Sequence, residues 1–326
     1  MEENKLKGKK ILLVAPIFYN YHELIIKKLE ENGAQVHFIP ERKYNILFTI
    51  INNFFKWYLP TFQANHYISS FDSQTKQSFD YFFVIRGYQM PKAFIDLVKT
   101  VNPKIKTILY QWDSERNNPY FHLIDRFDVS NSFDYDDCEQ NANLNYIPLF
   151  FTDDIAYEIN RNNPITNELF LFGVYMPERY DVAKKIKAYC NQNGIKMDIY
   201  LYISKRTCVK ELFLGKKLDY SILNTKFMDR TTYIKKLTQS SIVIDISSSS
   251  QSGLAMRIIE SLALNKKILT TNKRLLNDSL FDSLQVNYLN TENINITEDF
   301  RKRKIEHHDH QMLSLSNWIA KNFENV

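Results

Sequence analysis

SIVIDISSSSQSGLAMRIIESLALNKKILTTN, residues 241–272, contains the clearest indication of the fold class of this chain. Residues 241–246 form a short apolar run rich in β-branched side chains, which predicts a buried strand. Residues 247–252 form a polar loop, and residues 253–264 place apolar side chains on one face of a helix. Residues 267–271 predict a second strand. This order of elements is typical of a parallel sheet in an α/β fold.

The loop and the start of the helix in this stretch form a candidate binding site. In an open parallel sheet, ligands bind at the carboxyl ends of the strands, where this loop is expected to lie. The first N–H groups of a helix have no partner within the helix, and Arg257 adds a positive charge beside them. Arg257 and Glu260 lie three residues apart, so they are neighbours on the helix surface. The pattern therefore predicts an anion site.

Two α/β series of similar size follow each other along the 326 residues. The first begins with a strand, helix and strand over residues 10–39, and the second begins in the same way over residues 169–203. We therefore expect an N-terminal Rossmann-like domain over residues 1–155 and a C-terminal one over residues 156–310. Apolar residues at helical spacing predict a helix within residues 311–326, which we expect to pack back on the first domain.

The amino-acid composition argues against several classes of function. The net charge of +5 suits an anionic ligand or a membrane surface and does not require nucleic acid. There are only seven glycines, and neither GxGxxG nor GxxxxGKS/T occurs, so dinucleotide and P-loop sites lose their main support. The three cysteines form no CxxC pair, which favours a reducing compartment without disulfides. We expect neither a signal peptide nor a membrane span, since the first ten residues are polar and no long apolar run occurs.

Four motifs follow one another between residues 109 and 272. They are LYQWDSERNNP (109–119), FDVSNSFDYDDCEQ (127–140) followed by YIPLFF (146–151), LFGVYMPERY (171–180) and QSGLAMRIIESLALNKKILTTN (251–272). In this order they resemble motifs of the bacterial, family-1-like GT-B glycosyltransferases of lipopolysaccharide and capsular polysaccharide biosynthesis. The fourth motif is the most specific, because Arg257 and Glu260 match the R-x-x-E helix of that family. The set covers half of the chain.

The resemblance implies two facing Rossmann-like domains with parallel sheets and a cleft between them. It implies a nucleotide-sugar donor on the C-terminal domain, an acceptor on the N-terminal domain, no cofactor and no metal. Arg257 would contact the donor diphosphate, and Glu260 would contact the ribose hydroxyls. The implied donor-binding residues are Gly173, Arg179, Ser250, Gln251, Ser252, Gly253, Arg257 and Glu260. Ser252 departs from the two-glutamate signature of many members, in which a glutamate stands eight residues before the second one. Without a ligand, Arg257 and Glu260 would form a solvated ion pair.

Asp113 and His22 are the two candidates for a catalytic base. Asp113 follows a predicted strand, where it would either deprotonate an acceptor hydroxyl or cap the next segment. His22 follows the first strand at the start of a helix, and the resemblance implies a histidine base at a similar place in some inverting members. The alternative for His22 is a capping or surface position. The residues alone decide neither question, nor whether the reaction inverts or retains configuration.

Two segments carry residues that bind metals in other proteins. Asp134, Tyr135 and Asp136 form a DxD triplet, the metal-binding signature of the other glycosyltransferase fold, GT-A. FDYDD is also an acidic helix start of the kind that the helix dipole favours. Residues 307–310, HHDH, follow a basic run and lack a clear ligand spacing. We therefore expect no metal ligand in either segment.

The favoured hypothesis is a metal-independent glycosyltransferase, hexosyl- or related, that uses a nucleotide-sugar and a surface-polysaccharide or lipid-linked acceptor. The alternatives are a non-catalytic GT-B-like nucleotide-binding or scaffold protein and a metal-dependent GT-A enzyme. We expect no nucleic-acid partner. The expected location is the cytoplasm, with peripheral contact on the inner face of the cell membrane as an option. Residues 44–62 are either an interfacial segment for that contact or an ordinary helix packed on its own sheet.

Overall fold

A computed structural model of the chain describes residues 5–72, 78–248, 250–281 and 284–326. The chain divides into two compact units, each assembled from more than one stretch of sequence. The N-terminal unit comprises Met1–Phe150, Ser249–Leu254 and Leu313–Val326, and the C-terminal unit comprises Phe151–Ser248 and Ala255–Met312. Each unit has its own parallel sheet and its own hydrophobic core.

The N-terminal unit contains a six-stranded parallel sheet. Its strands are β1 (Lys10–Ala15), β2 (Gln35–Pro40), β3 (Tyr81–Ile85), β4 (Lys106–Gln111), β5 (Val129–Ser132) and β6 (Asn145–Tyr146). Their order across the sheet is β2-β1-β3-β4-β5-β6. Every residue of β3 is buried, as expected for a parallel strand that helices cover on both faces. Because β2 and β3 lie on opposite sides of β1, the topological switch point of this sheet lies between β1 and β3.

In the described residues of the N-terminal unit, five α-helices lie between these strands along the chain. They are α1 (Tyr21–Glu31), α2 (Ile46–Phe54), α3 (Leu59–Asp72), α4 (Lys92–Val101) and α5 (Tyr135–Gln140). Gly33 follows the end of α1 and has a positive φ of +83°, a backbone conformation that favours glycine. Residues 44–62, which the sequence left undecided, form α2 and the start of α3. None of the helices in the described ranges has the length and apolar character that a membrane crossing requires.

The C-terminal unit contains a second six-stranded parallel sheet. Its strands are β7 (Asn167–Val174), β8 (Met197–Tyr202), β9 (Leu223–Asn224), β10 (Ser240–Asp245), β11 (Lys267–Thr270) and β12 (Val286–Tyr288). Their order is β12-β11-β10-β7-β8-β9. The chain adds β8 and β9 on one side of β7 and then crosses to place β10 on the other side. The switch point of this sheet therefore lies between β7 and β10.

The described residues of the C-terminal unit form six α-helices. They are α6 (Asp153–Glu158), α7 (Pro177–Gln192), α8 (Lys205–Phe213), α9 (Arg230–Thr238), α10 (Met256–Ala263) and α11 (Glu298–Lys302). Asp229 caps α9, because its side chain accepts a hydrogen bond from the Thr232 amide. The predicted domain boundary at residue 155 lies within α6.

The last helix, α12 (Leu315–Phe323), packs on the sheet of the N-terminal unit. The Trp318 ring lies 4.7 Å from the Tyr110 ring of β4, and the Phe323 ring lies 5.1 Å from the Tyr81 ring of β3. Asn322 Oδ1 accepts a hydrogen bond from Asn131 Nδ2 at 2.9 Å in the same buried layer. Two parallel sheets with helices, in two Rossmann-like units, confirm the predicted α/β fold class.

Candidate functional site

A cavity of ≈ 300 Å³ lies at the carboxyl edge of the C-terminal sheet. Its lining residues, most of which follow β7, β10, β11 and β12, are Met176, Glu178, Arg179, Val182, Ile246, Ser247, Ser248, Thr271 and Thr291. A larger cavity of ≈ 390 Å³ runs along α9 instead. Ligands of doubly wound sheets bind outside the carboxyl ends of the strands at the switch point. Topology therefore favours the smaller cavity, which we call the switch-point cavity.

Arg179 joins the ends of β7 and β10 beside this cavity. Its Nε and Nη2 donate to the Ile246 carbonyl oxygen at 3.2 and 3.0 Å, and its Nη1 donates to the Val174 carbonyl oxygen at 2.7 Å. Burial lowers the pKa of Arg179 to about 10, and the nearby charge of Arg257 adds to that lowering. A Cβ at Gly173 would lie 3.4 Å from Arg179 Cδ and Nη1. The structure therefore brings Gly173 and Arg179 together.

Arg257 is paired with a buried carboxylate at the end of β10. Its Nη2 and Nε lie 2.6 and 2.9 Å from Oδ1 of Asp245, which is fully buried. The hydroxyls of Ser247 and Thr270 donate to Oδ2 of Asp245. Burial acts to raise the pKa of Asp245, but Arg257 and the hydroxyl donors outweigh burial, so the pKa lies below its usual value. Asp245 therefore holds a buried negative charge that depends on Arg257.

The charges of this cluster favour an anionic ligand. Arg179 and Arg257 contribute two positive charges, and Asp245 neutralises one of them. Arg257 does not line the switch-point cavity itself, but its charge lowers the pKa of Arg179, which does. Ala255, the N-cap of α10, has no side chain that could accept hydrogen bonds from the first amides of the helix. An anion at this edge would gain from the arginines and from the helix N-terminus.

Glu260 is buried against α9 and does not line the switch-point cavity. Arg230 Nη1 donates to Glu260 Oε1 at 2.6 Å, and the Tyr233 hydroxyl donates to Oε2 at 2.6 Å. The alternative of a solvated ion pair between Arg257 and Glu260 is wrong. Each pairs with a group on a neighbouring element, Arg257 with Asp245 and Glu260 with Arg230, since the buried carboxylates Asp245 and Glu260 each require a counter-ion.

Asp134 of the N-terminal unit holds the segment that precedes α10. This buried carboxylate accepts hydrogen bonds from the Ser252 amide and Oγ, both at 2.7 Å, and from the Gly253 amide at 3.1 Å. Ser114 Oγ donates to the Ser250 carbonyl oxygen at 2.7 Å. These contacts account for the inclusion of Ser249–Leu254 in the N-terminal unit.

These hydrogen bonds change two expectations for the loop. The predicted loop over residues 247–252 includes Ser249, which lies outside the described residues. α10 begins at Met256 rather than at the predicted residue 253, because Asp134 holds the preceding residues out of the helix. The structure places the predicted donor-binding residues in two groups. Gly173, Arg179, Arg257 and Glu260 belong to the C-terminal unit, and Ser250, Gln251, Ser252 and Gly253 belong to the N-terminal unit.

Gly253→Ala is expected to lower the free energy of unfolding by about 1–3 kcal/mol. A Cβ at residue 253 would lie 2.5 Å from both the carbonyl oxygen and the ring Cδ2 of Phe133, which is fully buried. Chemical denaturation measures the change. Gly173→Ala is the matched control, because the nearest atoms to its Cβ would be those of the Arg179 side chain, at the ordinary contact distance of 3.4 Å. Equal stability of wild type and Gly253→Ala would contradict the close contact.

Asp113 lies just after β4, at the carboxyl edge of the N-terminal sheet. Its side chain is 26% exposed, and its Oδ2 lies 3.7 Å from Arg86 Nη1. Burial raises the pKa of Asp113 above its usual value, and Arg86 offsets part of that rise. Arg86 also forms an ion pair with the fully buried Glu41, with 2.9 Å between Nε and Oε2. A partly exposed carboxyl group with a raised pKa is suited to accept a proton.

Arg86 has a backbone conformation that is rare for its residue type. Its φ is +67°, and Gly87 and Gln89 also have positive φ values of +65° and +51°. The Arg86 carbonyl oxygen accepts from Gln111 Nε2 at 2.8 Å and from Asn118 Nδ2 at 3.3 Å, which holds this conformation. A left-handed conformation in a residue other than glycine costs energy and is concentrated at functional sites. The segment after β3 is therefore part of the candidate site.

His22 is the second residue of α1 and is buried. Its ring lies 5.4 Å from the Phe38 ring of β2, and its Nε2 lies 3.9 Å from Glu23 Oε1. Burial lowers the pKa of His22, and Glu23 offsets part of the lowering, so the neutral form dominates at pH 7. The packing partners of His22 come from α1 and β2 rather than from the Arg86 and Asp113 pair.

The DxD triplet has a structural role in this chain. Asp134 caps α5, since its Oδ1 accepts from the Asp137 amide at 3.2 Å, and both of its oxygens also receive donors from Ser252. Among residues 5–72, 78–248, 250–281 and 284–326, no three His, Cys, Asp or Glu side chains are grouped as metal ligands. Asp134 therefore binds peptide groups.

Three residues that form ion pairs with the candidate site residues were not predicted from the sequence. Asp245 ends an apolar strand, and a carboxylate in that position was the signal that could have identified it. Arg86 follows β3 in the same way, but no sequence pattern predicts its positive φ. Arg230 begins α9 and pairs with both Glu260 and Asp154, a combination that sequence spacing does not reveal.

Solved structures of other proteins have a fold similar to that of this chain. No protein-family model matches the chain, and a search of curated proteins found no match. The chain is similar to AviGT4, a glycosyltransferase involved in avilamycin A biosynthesis, with a TM-score of 0.56, 9% identity and coverage of 98% of this chain and 97% of that chain.

Two nucleotide complexes are also similar. One is an alpha-glucosyltransferase with UDP and a 13-mer DNA containing a central A:G mismatch, with a TM-score of 0.50, 14% identity and coverage of 87% of each chain. The other is a UDP-GlcNAc 2-epimerase from Neisseria meningitidis bound to UDP-GlcNAc, with a TM-score of 0.50, 12% identity and coverage of 86% of this chain and 87% of that chain. Such low identities show the fold alone. The chain has a GT-B glycosyltransferase-like fold, which argues against the GT-A alternative.

Proposed function

We propose that this chain transfers a sugar from a nucleotide-sugar donor to a hydroxyl group of an acceptor. The observation that carries this proposal is the switch-point cavity of the C-terminal unit, with Arg179 in its lining and Arg257 nearby. A nucleoside diphosphate is the anion that best suits such a cluster, since two arginines and a helix N-terminus stabilise phosphate charge. The solved structures of similar fold with bound UDP or UDP-GlcNAc agree with this ligand class.

The C-terminal unit would stabilise the leaving group. When the bond between the anomeric carbon and the phosphate oxygen breaks, its electron pair stays on the departing nucleoside diphosphate. The negative charge that develops there would be stabilised by Arg257, by Arg179 and by the amides at the start of α10. Donor contacts of Gly173, Ser250, Gln251, Ser252, Gly253 and Glu260 remain part of the proposal.

The N-terminal unit would bind the acceptor and supply the base. In a reaction that inverts configuration, the acceptor oxygen forms a bond to the anomeric carbon while its proton passes to a carboxylate. We assign this role to Asp113, because its side chain is partly exposed, lies beside Arg86 and has a raised pKa. His22 is the competing candidate.

The pathway and location follow from the motif resemblance as further parts of the proposal. The acceptor would be a growing surface polysaccharide or a lipid-linked saccharide of the lipopolysaccharide or capsule type. We also propose that the protein acts in the cytoplasm, in peripheral contact with the inner face of the cell membrane. No metal and no resident cofactor are proposed.

Nucleoside diphosphate binding is expected to depend on the switch-point cavity. Calorimetric titration with UDP, GDP, CDP and ADP should identify at least one that binds. Thr291→Trp, which fills the cavity and leaves Arg179 and Arg257 in place, should weaken that binding by about tenfold or more. Thr231→Trp is the matched control, because it fills the larger cavity along α9 instead. Weaker binding in the control alone would move the donor site to α9.

Incubation with nucleotide-sugars and a saccharide acceptor then tests the reaction itself. Nucleotide release that requires the acceptor supports transfer. Nucleotide-sugar binding without release of the nucleotide would favour the alternative of a non-catalytic scaffold protein. The motive for this alternative is that the side chains of Ser252 and Glu260 hydrogen-bond to other protein groups. If NMR shows that the donor sugar is converted to its epimer, the protein is an epimerase instead.

A further inference from the structure

An exposed apolar surface covers one side of α2 and the residues after it in the N-terminal unit. We call it the α2 surface, and it comprises Ile46, Leu47, Ile50, Phe54, Phe55 and Trp57. Ile46 and Trp57 are each 80% exposed, and Phe54 is 70% exposed. Contiguous large apolar side chains of this kind are rare on a surface that faces only water, and they mark interaction sites.

The α2 surface is presented by a helix that is fixed to its unit. Phe48 and Ile51, on the opposite side of α2, are buried with Leu59 in a small apolar cluster. Asn45 caps the helix by accepting from the Phe48 amide at 2.9 Å. The Tyr88 hydroxyl donates to Asn52 Oδ1 at 2.9 Å. The exposed side chains therefore point outward from an anchored helix.

The charged side chains of the segment that carries this surface are all basic. Residues 42–71 contain no aspartate or glutamate, while they contain Arg42, Lys43 and Lys56. The preceding carboxylate, Glu41, is fully buried and paired with Arg86. Lys43 and Lys56 are exposed at the two ends of α2. The occupant of the surface must therefore accept apolar side chains and offer negative charge.

We propose that the α2 surface docks on an anionic lipid bilayer. Its apolar side chains would enter the boundary between headgroups and acyl chains, while Lys43 and Lys56 meet the lipid phosphates. Each basic residue gains from the surface potential of anionic lipids, and Trp57 and Tyr58 have the amphipathic rings that prefer this boundary. A second copy of the chain would bring the same cations against these, so like charges oppose that occupant.

Contacts within the N-terminal unit connect the docking surface to the candidate base. The Tyr88 amide donates to Glu41 Oε2 at 3.2 Å, and Glu41 binds Arg86, which lies beside Asp113. Docking would therefore bring this carboxyl edge close to the lipid surface. The consequence that a lipid-linked acceptor reaches Asp113 there rests on the proposed function, whereas docking itself does not.

Co-sedimentation with vesicles of phosphatidylcholine, with and without phosphatidylglycerol, tests the proposal. The full chain should bind only the anionic vesicles, and binding should fall as salt is added. The variant Ile46→Ser/Phe54→Ser/Trp57→Ser should lower the partition coefficient by about tenfold or more, since it removes most of the apolar area. The matched control is Val209→Ser/Leu212→Ser/Phe213→Ser on α8, where Phe213 is 88% exposed and lysines are also near. This control should bind as the wild type does.

Four results would overturn the proposal. The first two are failure of the wild type to bind vesicles and equal binding to neutral and anionic vesicles. The third is loss of binding in the α8 variant instead of the α2 variant. The fourth is a wild type that binds no vesicles but forms a dimer in sedimentation velocity, when the α2 variant does not form that dimer. Thermal unfolding confirms that each variant is folded. The assay contains no donor or acceptor, so its outcome is independent of whether sugar transfer occurs.

Discussion

Arg257→Ala is expected to lower the free energy of unfolding by about 3 kcal/mol or more at neutral pH, because it leaves a buried charge without its counter-ion. Asp245 would keep the hydrogen bonds from Ser247 and Thr270 but lose the guanidinium at 2.6 and 2.9 Å. The same change removes one of the two positive charges near the switch-point cavity, so nucleoside diphosphate binding should be lost. Chemical denaturation and calorimetric titration measure the two effects separately.

The stability effect of Arg257→Ala should depend on pH. In the wild type, the pKa of Asp245 lies below its unfolded value, so the ion pair contributes stability above about pH 4. That contribution is lost as the pH falls through the lowered pKa of the folded state. The difference in unfolding free energy between wild type and variant should therefore be largest near neutral pH and shrink in acid.

Two further variants distinguish the loss of the Arg257 side chain from the loss of its ion pair with Asp245. Arg257→Lys keeps the charge and should retain part of the stability. In the double variant Asp245→Asn/Arg257→Ala, the carboxylate charge is absent, so the cost should be smaller than the sum of the two single changes. Strict additivity in this cycle would show that Asp245 and Arg257 do not depend on each other.

Asp113→Asn is expected to reduce kcat by about 10²–10⁴-fold, because asparagine cannot take up the proton of the acceptor hydroxyl. The substitution keeps the size of the side chain, so donor binding and folding should change little. Steady-state kinetics with the donor and acceptor that give turnover measure the loss. An equal or larger loss in His22→Gln, with Asp113→Asn active, would transfer the role of base to His22.

The pH profile of the reaction provides an independent test of Asp113. With Asp113 as base, kcat/KM should fall in acid as the carboxylate is protonated, and the midpoint should lie above the usual pKa of aspartate. Arg86→Gln removes a positive charge near Asp113, so its pKa should rise and the acidic limb should move to higher pH. Circular dichroism must show that Arg86→Gln is folded, because Glu41 loses its partner. An unmoved limb in a folded variant would exclude Asp113.

Several elements were predictable because their signals are local. The strands predicted over residues 241–246 and 267–271 are β10 (Ser240–Asp245) and β11 (Lys267–Thr270), within one residue of the predicted bounds, since each apolar run lies within one short window. α6 and α8 were missed, because both are short and much of their surface is polar or exposed. α10 began later than predicted, because Asp134 of another segment holds Ser252 and Gly253.

The alternation of strands and helices, the two α/β units and the resemblance to GT-B glycosyltransferases could all be inferred from the amino-acid sequence. So could the interest of Arg257, Glu260 and Asp113. Their partners became known only from the folded chain: Asp245 for Arg257, Arg230 for Glu260, and Arg86 for Asp113. Local periodicity follows from the backbone geometry of one segment, whereas a buried charge is satisfied by whichever group the fold brings near it.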